Sequence, residues 1–218
     1  MSGNVQTIVR SRLCGAKDVY VAVVTKNETN EYITATPVKL ARTLSVKVSD
    51  KFTQEKMYSD DNIEEIIESY EGTDLEVNVN TLAPQDYALL FENLYKNGFL
   101  LKASGDGAKE IAIGWRAKKR NGKYEFNWYY CGKLERPEQN YETQEDKTKT
   151  QTAGLKGTFY ARSKEDTIDG VKKNLYAIQV DESNLLESDK TAAEAITNWF
   201  ASVQEYSEPI AQSLKIDK

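Results

Sequence analysis

The sequence predicts a mainly β protein with one flanking α-helix and a further helix near the C-terminus. Three observations carry this. Stretches in which apolar and polar residues alternate recur along most of the 218 residues, which is the two-residue period of a strand with one buried face. An Asn-Gly pair, Asn121-Gly122, separates two such stretches. Two other stretches carry apolar residues at i, i+3, i+4 and i+7, the spacing of one helix face.

Taken in order, strands are expected over residues 19–25, 43–49, 74–79, 110–118, 124–133, 154–162 and 174–180. In the fourth, Ile111, Ile113, Trp115 and Ala117 share a face; in the fifth, Tyr124, Phe126, Trp128 and Tyr130 do. Asn121-Gly122 between them predicts a type I′ hairpin, because both central residues of that turn need positive φ. So large an aromatic face belongs in a core or a subunit interface. Pro84 suits a first helical position, and Tyr87, Leu90, Phe91 and Leu94 form a stripe behind it. Asn97-Gly98 reads as that helix's stop. Near the C-terminus, Thr191-Ala192-Ala193-Glu194 reads as a capping box, followed by a stripe of Ile196, Trp199, Phe200 and Val203.

Two regions lack a continuous apolar face and read as loops: residues 49–70, rich in charge, and residues 137–152, rich in Glu, Gln, Lys and Thr. Residues 181–190 are polar and acidic. The chain therefore divides into a β domain, residues 1–182, and a linker with a helical extension, residues 183–218.

Composition narrows the function. The formal net charge is −5 and the pI about 5.1. A nucleic-acid binder draws its affinity largely from cations placed against phosphates, so tight DNA binding is disfavoured. There is no histidine, and Cys14 and Cys131 are far apart in sequence. This removes the usual general base at neutral pH and the ordinary ligand set of a structural zinc site. The cysteines are expected to be reduced. No apolar stretch is long enough to span a bilayer, and residues 1–12 lack the apolar core of a secretory signal. A cytoplasmic protein is expected.

Some clusters have two readings. Asp60-Asp61 with Glu64 and Glu65 could be a metal or acid/base group; adjacent carboxylates seldom converge, so a solvated acidic loop is preferred. Gly105-Asp106-Gly107 is a turn, without the Gly-Lys-Ser/Thr ending of a phosphate loop. The basic run 116–123 fits a solvated hairpin tip. Trp199 and Phe200 fit either a partner anchor or a core stripe. The residues alone thus describe an acidic, β-rich binding or assembly protein without a catalytic constellation.

A longer series of residues goes further. Asn121-Gly122-Lys123-Tyr124 is followed by Trp128-Tyr129-Tyr130-Cys131-Gly132-Lys133-Leu134, Pro137-Glu138 and Tyr141-Glu142-Thr143. Gln151-Thr152, Leu155, Gly157-Thr158-Phe159 and Ala161-Arg162 come next. Upstream lie Asp18-Val19-Tyr20-Val21-Ala22 and Tyr58-Ser59-Asp60-Asp61, and a strand and short helix over residues 73–94. In order and spacing, roughly residues 15–162 resemble the major tail proteins of siphophages that infect Gram-positive bacteria. The N-terminal lead, the strand at 176–180 and the helix from Thr191 depart from that pattern.

The resemblance implies a tail-tube fold, a β-sandwich or barrel of two antiparallel sheets with one flanking helix, to which this chain adds its C-terminal helix. It implies hexameric rings that stack into the tube of a long non-contractile tail, with DNA passing through without specific binding. The loop at 49–70 would reach the neighbouring ring, with Tyr58, Asp60, Asp61, Glu64 and Glu65 as contact candidates. The implied partners are other copies of the chain, a tape measure protein, and tail terminator and distal tail proteins. No enzyme activity, cofactor, metal or membrane is implied. The implied location is the virion tail, and the host bacterial cytoplasm during assembly. Two other readings stand beside it: the tube subunit of a phage-tail-like bacterial particle, and a soluble β-sandwich binding module.

Overall fold

The computed structural model describes residues 8–59, 62–139 and 152–206. The strands are β1 (Leu13–Glu28), β2 (Glu31–Thr34), β3 (Val38–Lys39), β4 (Thr43–Ser59), β5 (Asn62–Val79), β6 (Leu94–Lys96) and β7 (Phe99–Leu101). They continue with β8 (Ile111–Lys119), β9 (Tyr124–Leu134), β10 (Ala153–Tyr160), β11 (Glu165–Ile168), β12 (Val171–Asn174) and β13 (Ala177–Asp181). The helices are α1 (Pro84–Leu90) and α2 (Lys190–Thr197). The protein is mainly β, as expected, and each expected strand falls in or across one of these elements.

Nine strands form one antiparallel sheet in the order β2-β1-β8-β9-β10-β5-β4. β3 joins β1 beside β2, and β13 joins β9 beside β10. The sheet curls, so that β4 residues Leu44, Val46 and Val48 line one cleft with Leu13 and Ala16 of β1 and with Trp115 and Tyr129. The pairs β6–β7 and β11–β12 are separate hairpins.

The alternation seen in the sequence sorts residues to two cores, one on each face of β8 and β9. Ile111, Ile113, Trp115 and Tyr129 face the first, with Val19, Val21, Leu75, Val77, Leu155, Phe159 and the α1 residues Tyr87 and Leu90. Phe126, Trp128 and Tyr130 face the second, with Ala112, Trp199 and Val203. Trp199 is therefore core: its carbonyl accepts the Trp128 indole N–H at 3.0 Å, and its ring packs 5.5 Å from Phe126. The terminal segment covers an aromatic face that would otherwise lie in water.

Trp128 lies across the strand from Gly114. A methyl group at Gly114 would sit 2.5 Å from the indole, so no side chain fits there without displacing a fully buried ring. Gly114→Ala is expected to cost about 1–3 kcal/mol, the usual range for overpacking, measured by thermal unfolding. An unchanged Tm would mean that the indole has room to slide.

Several local expectations are corrected. Residues 49–70 are not a loop: β4 and β5 pair through this region, from Asp50 opposite Thr73 to Ser59 opposite Asn62. Helix α1 stops at Leu90 and never takes in Leu94. Phe91 turns extended and bridges Ala108, while the Lys109 and Glu92 amides close the turn on Leu90 and Gly107 carbonyls. Asn97-Gly98 is instead the turn of β6–β7, with φ of 52° and 84°, as a type I′ turn requires. At Asn121-Gly122 only Gly122 has positive φ, 86°. The Gly122 N–H donates to Lys119 O at 3.0 Å and the Lys119 N–H to Lys123 O at 2.8 Å. That is a three-residue loop ending in a glycine bulge, not a two-residue turn.

The capping box at Thr191 does not form, because α2 already begins at Lys190 with Asp189 as its N-cap. The basic run 116–123 is only partly a solvated tip. Lys119 is buried and pairs with Asp181, and Arg116 and Lys39 both hold Asp18 at 2.5 Å. Burial alone would raise the Asp18 pKa, but these two cations hold it below the ordinary carboxylate value. Of the second expected loop, residues 140–151 lie outside the described residues.

Candidate assembly surface

The β4–β5 hairpin leaves the sheet as a two-stranded arm. β10 pairs with β5 only over Thr73–Val79, and no described strand pairs with the outer edge of β4. Beyond Thr73 the two strands therefore run with both outer edges unpaired among the described residues. At about 3.3 Å per residue, β4 residues 52–59 carry the arm roughly 25 Å past the sheet.

A bulge sets the arm's direction. Lys51 lies opposite Gly72 and Phe52 opposite Tyr70, leaving Glu71 as the extra residue; such a bulge bends and twists the pair. Glu71 accepts a hydrogen bond from the Thr53 hydroxyl. Just past the bulge, aromatic rings tie the arm's root to the core. Phe52 meets Tyr70 edge-on at 5.6 Å, and Tyr70 stacks on Tyr176 at 4.1 Å. Tyr176 leans on Tyr129 at 6.2 Å, and Tyr129 stacks on Trp115 at 5.6 Å. The Tyr70 hydroxyl shares a hydrogen bond with Thr73 Oγ1 at 2.8 Å, and Thr73 donates to Asp50 at 2.5 Å. Burial raises the phenol pKa of Tyr70 and Tyr129, so both stay neutral donors near neutral pH.

Past this root the arm buries little. Residues directly opposite each other share a face, so Phe52, Lys56, Glu68, Ile66 and Tyr70 lie on one side, and Glu55, Met57, Glu65 and Ile67 on the other. Phe52, Met57, Ile66 and Ile67 are 49%, 53%, 50% and 39% exposed. A lone two-stranded hairpin is marginal in water, and unpaired edges beside apolar side chains invite another chain.

Of the five contact candidates, Glu65 lies opposite Met57 far along the arm, and the backbones of Tyr58 and Glu64 are in its two strands. Asp60 and Asp61 lie outside the described residues. Among the described residues no group of three His, Cys, Asp or Glu is placed to hold a metal ion, and no helix is long and apolar enough to cross a membrane.

Sequence reasoning missed the arm's apolar members and a second projecting surface. On β6–β7, Leu94, Phe99 and Leu101 share a face and are all more than half exposed. The signal for the arm was available: residues 43–59 and 62–71 contain no proline and no glycine, so nothing punctuates either strand. Compared with protein-family models and with curated proteins, the chain matches none.

Proposed function

We propose that this chain is the tube subunit of a long non-contractile phage tail, assembling as stacked hexameric rings around a channel for DNA. One observation carries the reading: a β-hairpin arm about 25 Å long that holds apolar side chains in water on both faces and leaves both edges unpaired. Such an arm gains by docking on another chain. A contact between an arm and a different surface of the next copy is heterologous, and repeated it builds a ring or a filament.

The curled sheet with an open edge supports the same reading. In the tail-tube arrangement the outer edge of β4 is where a neighbour's sheet joins, which removes an edge that would otherwise pair without control. An acidic lumen would repel phosphate and let DNA slide. The tape measure, terminator and distal tail proteins would then meet the tube's interior and its two ends. A tube subunit of a phage-tail-like bacterial particle would use the same surfaces.

Negative-stain electron microscopy of the concentrated protein, with light scattering alongside, tests this. Hollow tubes or stacked rings are the expected result. A persistent monomer would overturn the reading in favour of a soluble β-sandwich binding module.

A further inference from the structure

The arm's charge is unlike that of the rest of the chain. Residues 51–71 hold seven carboxylates against two lysines, a net of −5, which equals the formal net charge of all 218 residues. The remainder is balanced overall, yet not locally. Where β1 begins, the chain runs beside the tip of the β8–β9 hairpin. The Arg120 N–H donates to Arg12 O at 2.9 Å, the Asn121 N–H to Ser11 Oγ at 3.1 Å, and Gly15 lies opposite Lys118. Asn184 fixes the segment from the other side, accepting the Val9 N–H at 2.8 Å.

This brings Arg10, Arg12, Lys118 and Arg120 to one rim, all exposed. The carboxylates nearby are committed elsewhere: Asp181 to Lys119 and Glu182 to Lys123. Among the described residues no carboxylate forms an ion pair with any of the four rim cations. Flanking Arg10 and Arg12 in sequence are apolar side chains in water, with Ile8 54%, Val9 43% and Leu13 56% exposed. The rim is thus apolar and cationic, while the arm is apolar and anionic.

We propose that the arm of one copy docks on the β1–β8–β9 rim of a second copy. This rests on the tube-subunit reading and gives the arm its receptor. The arm face that carries Met57 and Ile67 would cover Ile8, Val9 and Leu13, while Glu55 and Glu65 on the same face meet the rim cations. Opposed potentials of this kind set partner and register, and like charges brought together are strongly disfavoured. The contact is head-to-tail, because arm and rim are different surfaces of one chain.

The test is a charge exchange. The arm variant carries Glu55→Lys and Glu65→Lys; the rim variant carries Arg10→Glu, Arg12→Glu and Arg120→Glu. These positions are exposed, and circular dichroism checks that each variant folds. By sedimentation velocity at about 0.1 M salt, each variant alone is expected to associate at least roughly 100-fold more weakly than the unaltered protein. An equimolar mixture is expected to recover association, because a basic arm face then meets an acidic rim. The unaltered protein's association is expected to weaken at about 1 M salt, where the screening length falls from about 10 Å to about 3 Å. Variants that associate normally, or a mixture of folded variants that does not recover, would overturn the proposal while leaving the tube reading intact. Loss of DNA binding by the rim variant with association unchanged would assign the rim to nucleic acid and overturn it too. An unaltered protein that never associates would remove both readings.

Discussion

Replacing Arg162 with methionine is expected to destabilise the protein by about 3–5 kcal/mol, the usual effect of breaking a buried ion pair from one side. Arg162 follows β10 and is fully buried. Its guanidinium reaches Asp166 Oδ2 at 2.6 Å and Glu205 Oε2 at 2.7 Å. It also lies over the Tyr130 ring at 4.2 Å and near the Tyr32 ring at 5.1 Å. One side chain therefore joins the start of β11, the aromatic face of β9, β2 and the terminal segment. The two rings are held in turn, since the Tyr32 hydroxyl donates to Tyr130 O at 2.5 Å and the Tyr130 hydroxyl to Gln204 O at 3.0 Å.

Methionine would fill part of the space but leave Asp166, itself buried, short of its main cation. Lys164 stands 3.7 Å from Asp166 and 2.6 Å from Glu205, which places the loss toward the lower end of the range. At about 2–4 °C per kcal/mol for a chain of this size, Tm should fall by at least roughly 6 °C. Arg162→Lys should lie between, because an ammonium keeps the charge and loses the planar fork and the ring stacking. Calorimetry of the three proteins checks the order. A loss below about 1 kcal/mol for the methionine variant would show that Lys164 takes over the carboxylates.

The parts of the fold that sequence periodicity reaches are those with a defined inside. Ile111, Ile113 and Trp115 went to one core, and Phe126, Trp128 and Tyr130 to the other, because strand geometry sends alternate side chains to opposite faces. The arm could not be read this way. Both its faces meet water, so Phe52, Met57, Ile66 and Ile67 need no common period, and what fixes their register is pairing across the hairpin. The contact candidates Tyr58, Asp60, Asp61, Glu64 and Glu65 came from the resemblance, and the exposed apolar side chains, which no period marks, were passed over.

The Asn-Gly pairs teach a related point. Asn97-Gly98 carries the same hairpin signal as Asn121-Gly122, but the apolar stripe ending at Leu94 made it look like a helix stop. Phe91 then chose a bridge to Ala108 over another helical turn, which is tertiary packing overriding local spacing. Asp169-Gly170, with φ of 50° and 77°, makes the β11–β12 turn and was equally legible. The C-terminal stripe was expected on one helix face, but α2 ends at Thr197, and Trp199, Phe200 and Val203 lie beyond it. The stripe's destination in the second core depended on an aromatic face 71 residues upstream, from Trp128 to Trp199, which spacing alone does not reveal.

Shortening the arm is expected to abolish assembly and leave the subunit folded. The variant replaces residues 53–69 with Asn-Gly, a two-residue type I′ connection, and keeps Phe52 opposite Tyr70. The Tyr70–Tyr176 stack, the Tyr70–Thr73 hydrogen bond and the Thr73–Asp50 bond are all retained. Of the removed residues, 53–57, 62 and 65–69 are exposed and pack on neither core. Surface changes away from packed or paired groups shift stability by about 0.5 kcal/mol or less, and a shorter loop is slightly easier to close. Thermal unfolding should therefore change by no more than a few degrees. Association should drop far more, because the deletion takes away the apolar anchors and nearly all of the arm's carboxylates at once, and anchors of this kind hold most of an interface's affinity. A fall of at least about 1,000-fold in light scattering and sedimentation is expected, against the roughly 100-fold fall expected for charge reversal alone, since charge reversal leaves the apolar contacts in place. Tubes formed by the shortened protein would move the assembly contact elsewhere, and the exposed Leu94, Phe99 and Leu101 face of β6–β7 would be the surface to alter next. A shortened protein that stays monomeric but melts far below the parent would instead show that the arm supports the sheet, because an unfolded subunit cannot report on docking.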